Sequence, residues 1–207
     1  MAEPKDYGQF QKPTGEEGHL LVQHMNKSHY ELTTWGLQQV DFQKDDRILE
    51  IGCGGGLTIE RLSKLAPQGK LCGIDYSLDC VHWASEHNQT LIQSGRMQIS
   101  EGNVEKLFFD DNTFDKIFAV ETVYFWPNIS DNFKEVARVA KKGGQFIVIH
   151  EAYASERFAD KTKMLEAQGM KVLSPDQMEK QMLQAGFSHV DIKTWEDNNW
   201  MCCIATK

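Results

Sequence analysis

Short apolar runs alternate along this chain with segments whose apolar residues recur every three or four positions. Ile48-Leu49-Glu50-Ile51 is such a run, closed by Gly52, and reads as a buried strand ending in a tight turn; Leu57 to Leu62 then begins a helix. Lys70 to Asp75 reads as a second strand, and Ser77 can cap a helix whose Val81, Ala84 and Leu91 share a face. Met97 to Ile99 and Phe114 to Val120 are the next strands. Ile129, Phe133, Val136 and Ala140 mark a helix face, with Lys141 and Lys142 at its negative end and Gly143-Gly144 to stop it. Gln145 to Ile149 forms a fifth strand ending at His150-Glu151. Ser174-Pro175-Asp176-Gln177 is a capping box that opens a helix ended by Gly186, and His189–Thr194 with Trp200–Thr206 can pair as antiparallel strands. Alternating strands and helices imply a mostly parallel sheet covered on both faces.

Two regions break the alternation. Residues 1–18 are rich in Gly, Pro, Lys and Glu and read as a mobile lead-in to a single domain over 19–207. Leu21, Met25, Leu32 and Trp35 then lie on one face of one or two helices, a helical cap over 19–44. Residues 152–173 form a cap insertion, with a short helix around Phe158 to Gln168.

The glycines at 52, 54 and 56 remove β-carbons where a strand's carboxyl end meets a helix's amino end, and Asp75 ends the following strand. That is the layout of a nucleotide site. A dinucleotide fingerprint wants glycine where Leu57 stands, carries no acid at the place of Glu50, and a reductase would bring a Tyr-x-x-x-Lys pair that is missing. Glu50-x-Gly52-x-Gly54-x-Gly56 suits a ligand with a cationic amino group and no pyrophosphate.

At these residues the chain resembles the class I methyltransferases that use S-adenosylmethionine, over residues 45–207. The resemblance implies a doubly wound, Rossmann-like sheet of seven strands in the order 3-2-1-4-5-7-6, the last antiparallel. It implies that Glu50 and the backbone of Gly52 hold the methionine end of the cofactor, with Gly54 open for its approach. Asp75 takes the ribose hydroxyls, and Tyr76 packs on the adenine. Asn103 and Val104 meet the adenine edge, where the family more often has Asp first, and the backbone of Glu121 seats the amino group.

The acceptor is less legible. Rings crowd the expected cleft: Tyr124, Phe125 and Trp126, with Trp35, Tyr153, Trp195 and Trp200 in reach. Tyr124 is the ring expected to face an acceptor. Phe125 and Trp126 either join it or pack beneath the next helix. His29, Tyr30 and Trp35 either belong to the cap alone or also touch substrate. His150 is either a general base or a hydrogen-bonded hinge past its strand. His19, His24 and His29 step by five residues, which turns each about 140° from the last on a helix, so they do not read as a metal set.

The formal net charge of −8 and the lack of a basic run argue against nucleic acid, as does Glu121-Thr122-Val123-Tyr124 where base methyltransferases carry Asp or Asn-Pro-Pro-aromatic. Five cysteines without a CxxC pair point away from zinc and toward reduced thiols in a cytoplasmic protein, and no stretch is long and apolar enough to span a bilayer. The expectation is a monomer or homodimer that methylates O, S or N of a small, apolar or aromatic molecule. A protein or peptide acceptor, and a non-catalytic module that binds S-adenosylmethionine, are the alternatives.

Overall fold

Strand β1 (Ile48–Ile51) is buried along its whole length, and only a strand covered on both faces accepts four such residues in a row. The computed structural model describes residues 7–207. In it β1 pairs in parallel with β2 (Leu71–Asp75) on one side and with β4 (Phe114–Val120) on the other. Strand β3 (Met97–Glu101) extends the first edge, and β5 (Ala140–His150) continues the second. Strand β7 (Trp200–Thr206) runs antiparallel between β5 and β6 (His189–Trp195). The order β3-β2-β1-β4-β5-β7-β6 is the one implied by the resemblance.

Side chains alternate across the sheet, so neighbours on one strand serve different cores. Ile117 joins the layer built with Phe133 of α7 (Ile129–Val139) and Met178 of α9 (Pro175–Gln184). Phe118 joins the opposite layer, with Leu32 of α3 (Tyr30–Leu37) and Leu62 of α4 (Leu57–Leu65). Helices α5 (Leu78–His87) and α6 (Gln89–Gln93) connect β2 to β3. The caps fall where the residues place them: Ser77 accepts from the Cys80 amide, and Ser174 and Gln177 complete a reciprocal box. Among the described residues no helix is long and apolar enough to cross a membrane.

Three boundaries differ from the sequence reading. Helix α7 ends at Val139, because Ala140 already pairs with Phe114, so Lys141 lies on β5 and reaches Asp115 at 2.7 Å; Arg138 is the basic residue of the last turn. Residues 7–18 of the expected mobile lead-in form α1 (Tyr7–Gln11) and the start of α2 (Gly15–Ser28), while residues 1–6 lie outside the described residues. Polar groups from the turn after β2 and from α5 take up their backbone: the Tyr76 hydroxyl donates to the Gln11 carbonyl at 2.5 Å, the Ser77 hydroxyl to the Pro13 carbonyl at 2.6 Å, and Asp79 accepts from the Gly15 amide at 2.7 Å. In the 152–173 region, a 3-10 turn (Glu156–Phe158) precedes α8 (Ala159–Glu166), whose residues are all at least partly exposed. The segment is tied to the exit of β4 through the Lys171 amide, which donates to the Tyr124 carbonyl at 3.0 Å.

Ser77 is fully buried and serves both α5 and the N-terminal segment. Ser77→Ala is expected to cost about 1–2 kcal/mol, the range for a lost cap and a lost buried bond. Urea unfolding would measure it, and hydrogen exchange over residues 13–28 should speed up with it.

Candidate active site

The turn after β1 is held from three sides. The Gly52 and Cys53 amides donate to the Ile74 carbonyl at 2.8 and 3.1 Å, binding the turn to β2. A β-carbon on Gly52 would collide with Thr122, beyond β4. Gly54 has a φ of 50° and nothing within 4 Å of where its β-carbon would stand, so its bare α-carbon faces open cleft. Its amide donates to Asp75 Oδ2 at 2.9 Å, while Asp75 Oδ1 accepts from the Ser77 amide at 2.9 Å. One carboxylate thus fastens the glycine turn to the β2–α5 turn.

Beneath it lies Glu50, 2 % exposed, with an Oε2 that is buried and unbonded. Burial, then the neighbouring Asp75, pushes its pKa well above the ordinary carboxylate value. Burial also raises Asp75, against the hydrogen bonds from Ser77 and Gly54. Two acids in this state are suited to a ligand that brings a positive charge and hydroxyl donors. Tyr76, with its hydroxyl on the Gln11 carbonyl and the Lys12 amine 5.3 Å from its ring centroid, walls the same cleft. Asn103 turns its side chain onto its own loop: Oδ1 accepts from the Glu105 amide at 3.0 Å, beside a buried Val104. All eight residues expected to hold the cofactor line one cleft of about 1220 Å³.

The other half of the cleft is built where β4 and β5 end. Glu121 leaves β4 with a φ of 59°, a left-handed conformation unusual for a side-chain-bearing residue. Its Oε1 accepts from the Glu151 amide at 2.5 Å and lies 3.4 Å from the Tyr124 hydroxyl; its Oε2 points toward His29, 4.0 Å from Nε2. Burial, then Glu151, raises the Glu121 pKa well above the usual range, and burial lowers that of His29.

Tyr124 borders the cleft but is only 3 % exposed. Its hydroxyl donates to the Ala152 carbonyl at 3.2 Å and accepts from the Ala152 amide at 3.0 Å, so the phenol bolts the exit of β4 to that of β5. The ring therefore borders the cleft as expected, with its hydroxyl engaged by the backbone. His150, the candidate base, sits apart from the cleft. It is outside the cleft lining, 2 % exposed, stacked 4.0 Å from the Tyr124 ring, and burial drives its pKa to about 3.

His29 and Trp126 line the cleft; Trp35, Tyr153 and Trp200 do not. Trp35 and Trp200 pack with Trp195 where α3 crosses β5 and β7, and Tyr153 packs against Phe158. Near the chain ends of strands, sequence alone does not say which face a ring takes. Glu151 and the apolar residues Met164, Leu165 and Met170 also line the cleft and were missed. The available signal was an apolar pair on a helix that buries none of its residues.

Residues 49–148 match the methyltransferase domain family. YrhH of Bacillus subtilis, named as a methyltransferase, is 31 % identical over 138 residues, covering 67 % of this chain and 76 % of that protein. The chain belongs to the class I S-adenosylmethionine-dependent methyltransferases. The sterol 24-C-methyltransferase erg-4 of Neurospora crassa is 30 % identical over 112 residues, 52 % of this chain, which spans only 28 % of that longer protein. The methyltransferase fold also matches, over 99 % of both chains at a TM-score of 0.80 and 16 % identity, a chain from the Haloferax volcanii complex of the Trm112 methyltransferase activator with a methyltransferase. S-adenosylmethionine is the cofactor of this methyltransferase, and the orphaned Glu50 oxygen and the open face of Gly54 fit its ammonium and its approach.

Two outcomes follow for the methyltransferase. Gly54→Val should abolish cofactor binding by calorimetry, since a branched side chain at positive φ would both strain the turn and enter the cleft. Glu50→Gln should weaken S-adenosylmethionine at least about tenfold, within the range for a hydrogen bond to a charged group. It should also raise the melting temperature of protein stripped of cofactor. The sign follows from the raised carboxyl: above the ordinary value of 4.5 the unfolded chain holds fewer protons than the folded one, so stability falls as pH rises. The gap between variant and parent should therefore widen as pH rises above 4.5.

Proposed function

We propose that this methyltransferase acts on a small, apolar or aromatic acceptor held beside the cofactor in the same cleft. The observation that carries the reading is the composition of that cleft. One half presents the Gly54 turn, Glu50 and Asp75, and the other is walled by Phe125, Trp126, Met164, Leu165 and Met170. Its volume of about 1220 Å³ exceeds the roughly 300–1,000 Å³ of a pocket for one small ligand, which leaves space for an acceptor next to the cofactor.

S-adenosylmethionine supplies an activated methyl group on a sulfonium. What the chain's own residues do is align and exclude. Glu50, Asp75 and the backbone near Gly54 orient the cofactor, and the segment from α1 to α2 covers it. The apolar wall orients the acceptor and keeps bulk water from the reacting atoms. The absence of any basic run and a net charge of −8 weigh against nucleic acid as the acceptor. A relative named for methylating carbon 24 of a sterol supports an apolar acceptor, and adds carbon to O, S and N as the atom methylated.

The test is a screen of thiols, phenols, amines, carboxylates, quinones and sterols, read as release of S-adenosylhomocysteine. Turnover is expected with compact apolar or aromatic members. Leu165→Asp should then lower kcat/KM at least about tenfold, or about 1.4 kcal/mol, while the cofactor Kd stays within about twofold. Turnover confined to peptides or nucleic acid would overturn the proposal.

A further inference from the structure

Three side chains from separate segments converge on the wall of the acceptor half of the cleft. His29 is the residue that caps the carboxyl end of α2, Glu121 follows β4, and Glu151 follows β5. His29 Nε2 lies 4.0 Å from Glu121 Oε2 and 3.8 Å from Glu151 Oε2, and one ligand atom from each of the three lies within 4.8 Å of the others. These distances exceed hydrogen-bond reach, so the groups face one another without bonding. Glu121 is held in place independently. Its Oε1 takes the Glu151 amide and lies near the Tyr124 hydroxyl, which leaves Oε2 aimed at the imidazole.

We propose that His29 Nε2, Glu121 Oε2 and Glu151 Oε2 bind one first-row divalent cation, of the zinc or manganese kind. One imidazole and two carboxylates form a mixed donor set, in which the nitrogen favours zinc and the oxygens favour manganese. Bonds of about 2.0–2.2 Å to a tetrahedral ion place ligand atoms about 3.3–3.6 Å apart, so donors that already lie within 4.8 Å of one another would close by roughly an ångström at most on the widest pair. Three protein ligands leave an open position, and that position faces the apolar chamber. It would accept a lone pair from a hydroxyl, thiol or amine; this part rests on reading the chamber as the acceptor's.

The Lys161 amine sits on the Glu151 carbonyl at 2.8 Å and favours the ionised form of Glu121 from a distance. His24 lies on the helix that His29 caps, and His150 lies behind the Tyr124 ring. A divalent ion would meet both carboxylates and the imidazole at once.

The test needs no acceptor. Chelator-stripped protein is titrated with Mn²⁺ and with Zn²⁺ by calorimetry, in the presence and absence of S-adenosylmethionine. One saturable site per chain is expected for at least one of the two ions. Glu151→Gln, whose side chain is 46 % exposed and so disturbs packing least, should weaken that site at least about tenfold, and His29→Ala should do the same with circular dichroism unchanged. No saturable site for either ion, or a site that survives both variants, would overturn the proposal. Because binding alone is read, a negative result here leaves the acceptor screen to stand or fall by itself.

Discussion

The active cleft depends on one carboxylate that is spent on the backbone. Asp75 takes the Gly54 amide with one oxygen and the Ser77 amide with the other, at 2.9 Å each. Those two amides begin the turns that follow adjacent parallel strands, so the bond sets how far apart the turns stand. Ser77 then passes the constraint outward, capping α5 and holding the Pro13 carbonyl. A chain of polar contacts therefore links the glycine turn to the N-terminal segment that borders the cleft. The cost is concentrated below, in a Glu50 whose inner oxygen is buried without a donor. Such a group is tolerated where it serves binding, since an apolar residue there would pack better.

A second bolt sets the acceptor half. The Tyr124 hydroxyl both donates to and accepts from Ala152, and touches Glu121 besides. It joins the two strand exits together with the Glu121 amide, which donates to the Ile149 carbonyl at 3.0 Å, and with the Glu151 amide on Glu121 Oε1. Glu121 is forced into left-handed backbone at that junction, a conformation that costs energy and recurs at functional positions. The two halves of the cleft are thus supported differently. The glycine-turn side is fixed by backbone amides, and the β4–β5 side by a buried phenol, with an open helix, α8, as its outer wall. That division is consistent with one cofactor and a variable acceptor among proteins sharing this fold.

The sequence by itself determined where the strands and most helices fall along the chain, because burial on both faces of a parallel sheet leaves uninterrupted apolar runs that periodicity exposes; the strand order in the sheet came from the resemblance. It also marked Glu50, Gly54 and Asp75, since their chemistry is local: a bare α-carbon, and acids at fixed distances from strand ends. Caps at Ser77 and Ser174 were legible for the same reason. Tertiary structure alone decided which rings face the cleft. Trp35 and Trp200 meet each other across 165 residues of chain, and Trp126 packs against Phe133 and Phe146 while one edge borders the cleft, without any local signal. His150 and Glu151 are neighbours in sequence, yet one is sealed behind Tyr124 and the other lines the cleft. Adjacent residues leaving a strand point to opposite sides, and only the packing of the next segment says which side holds the ligand.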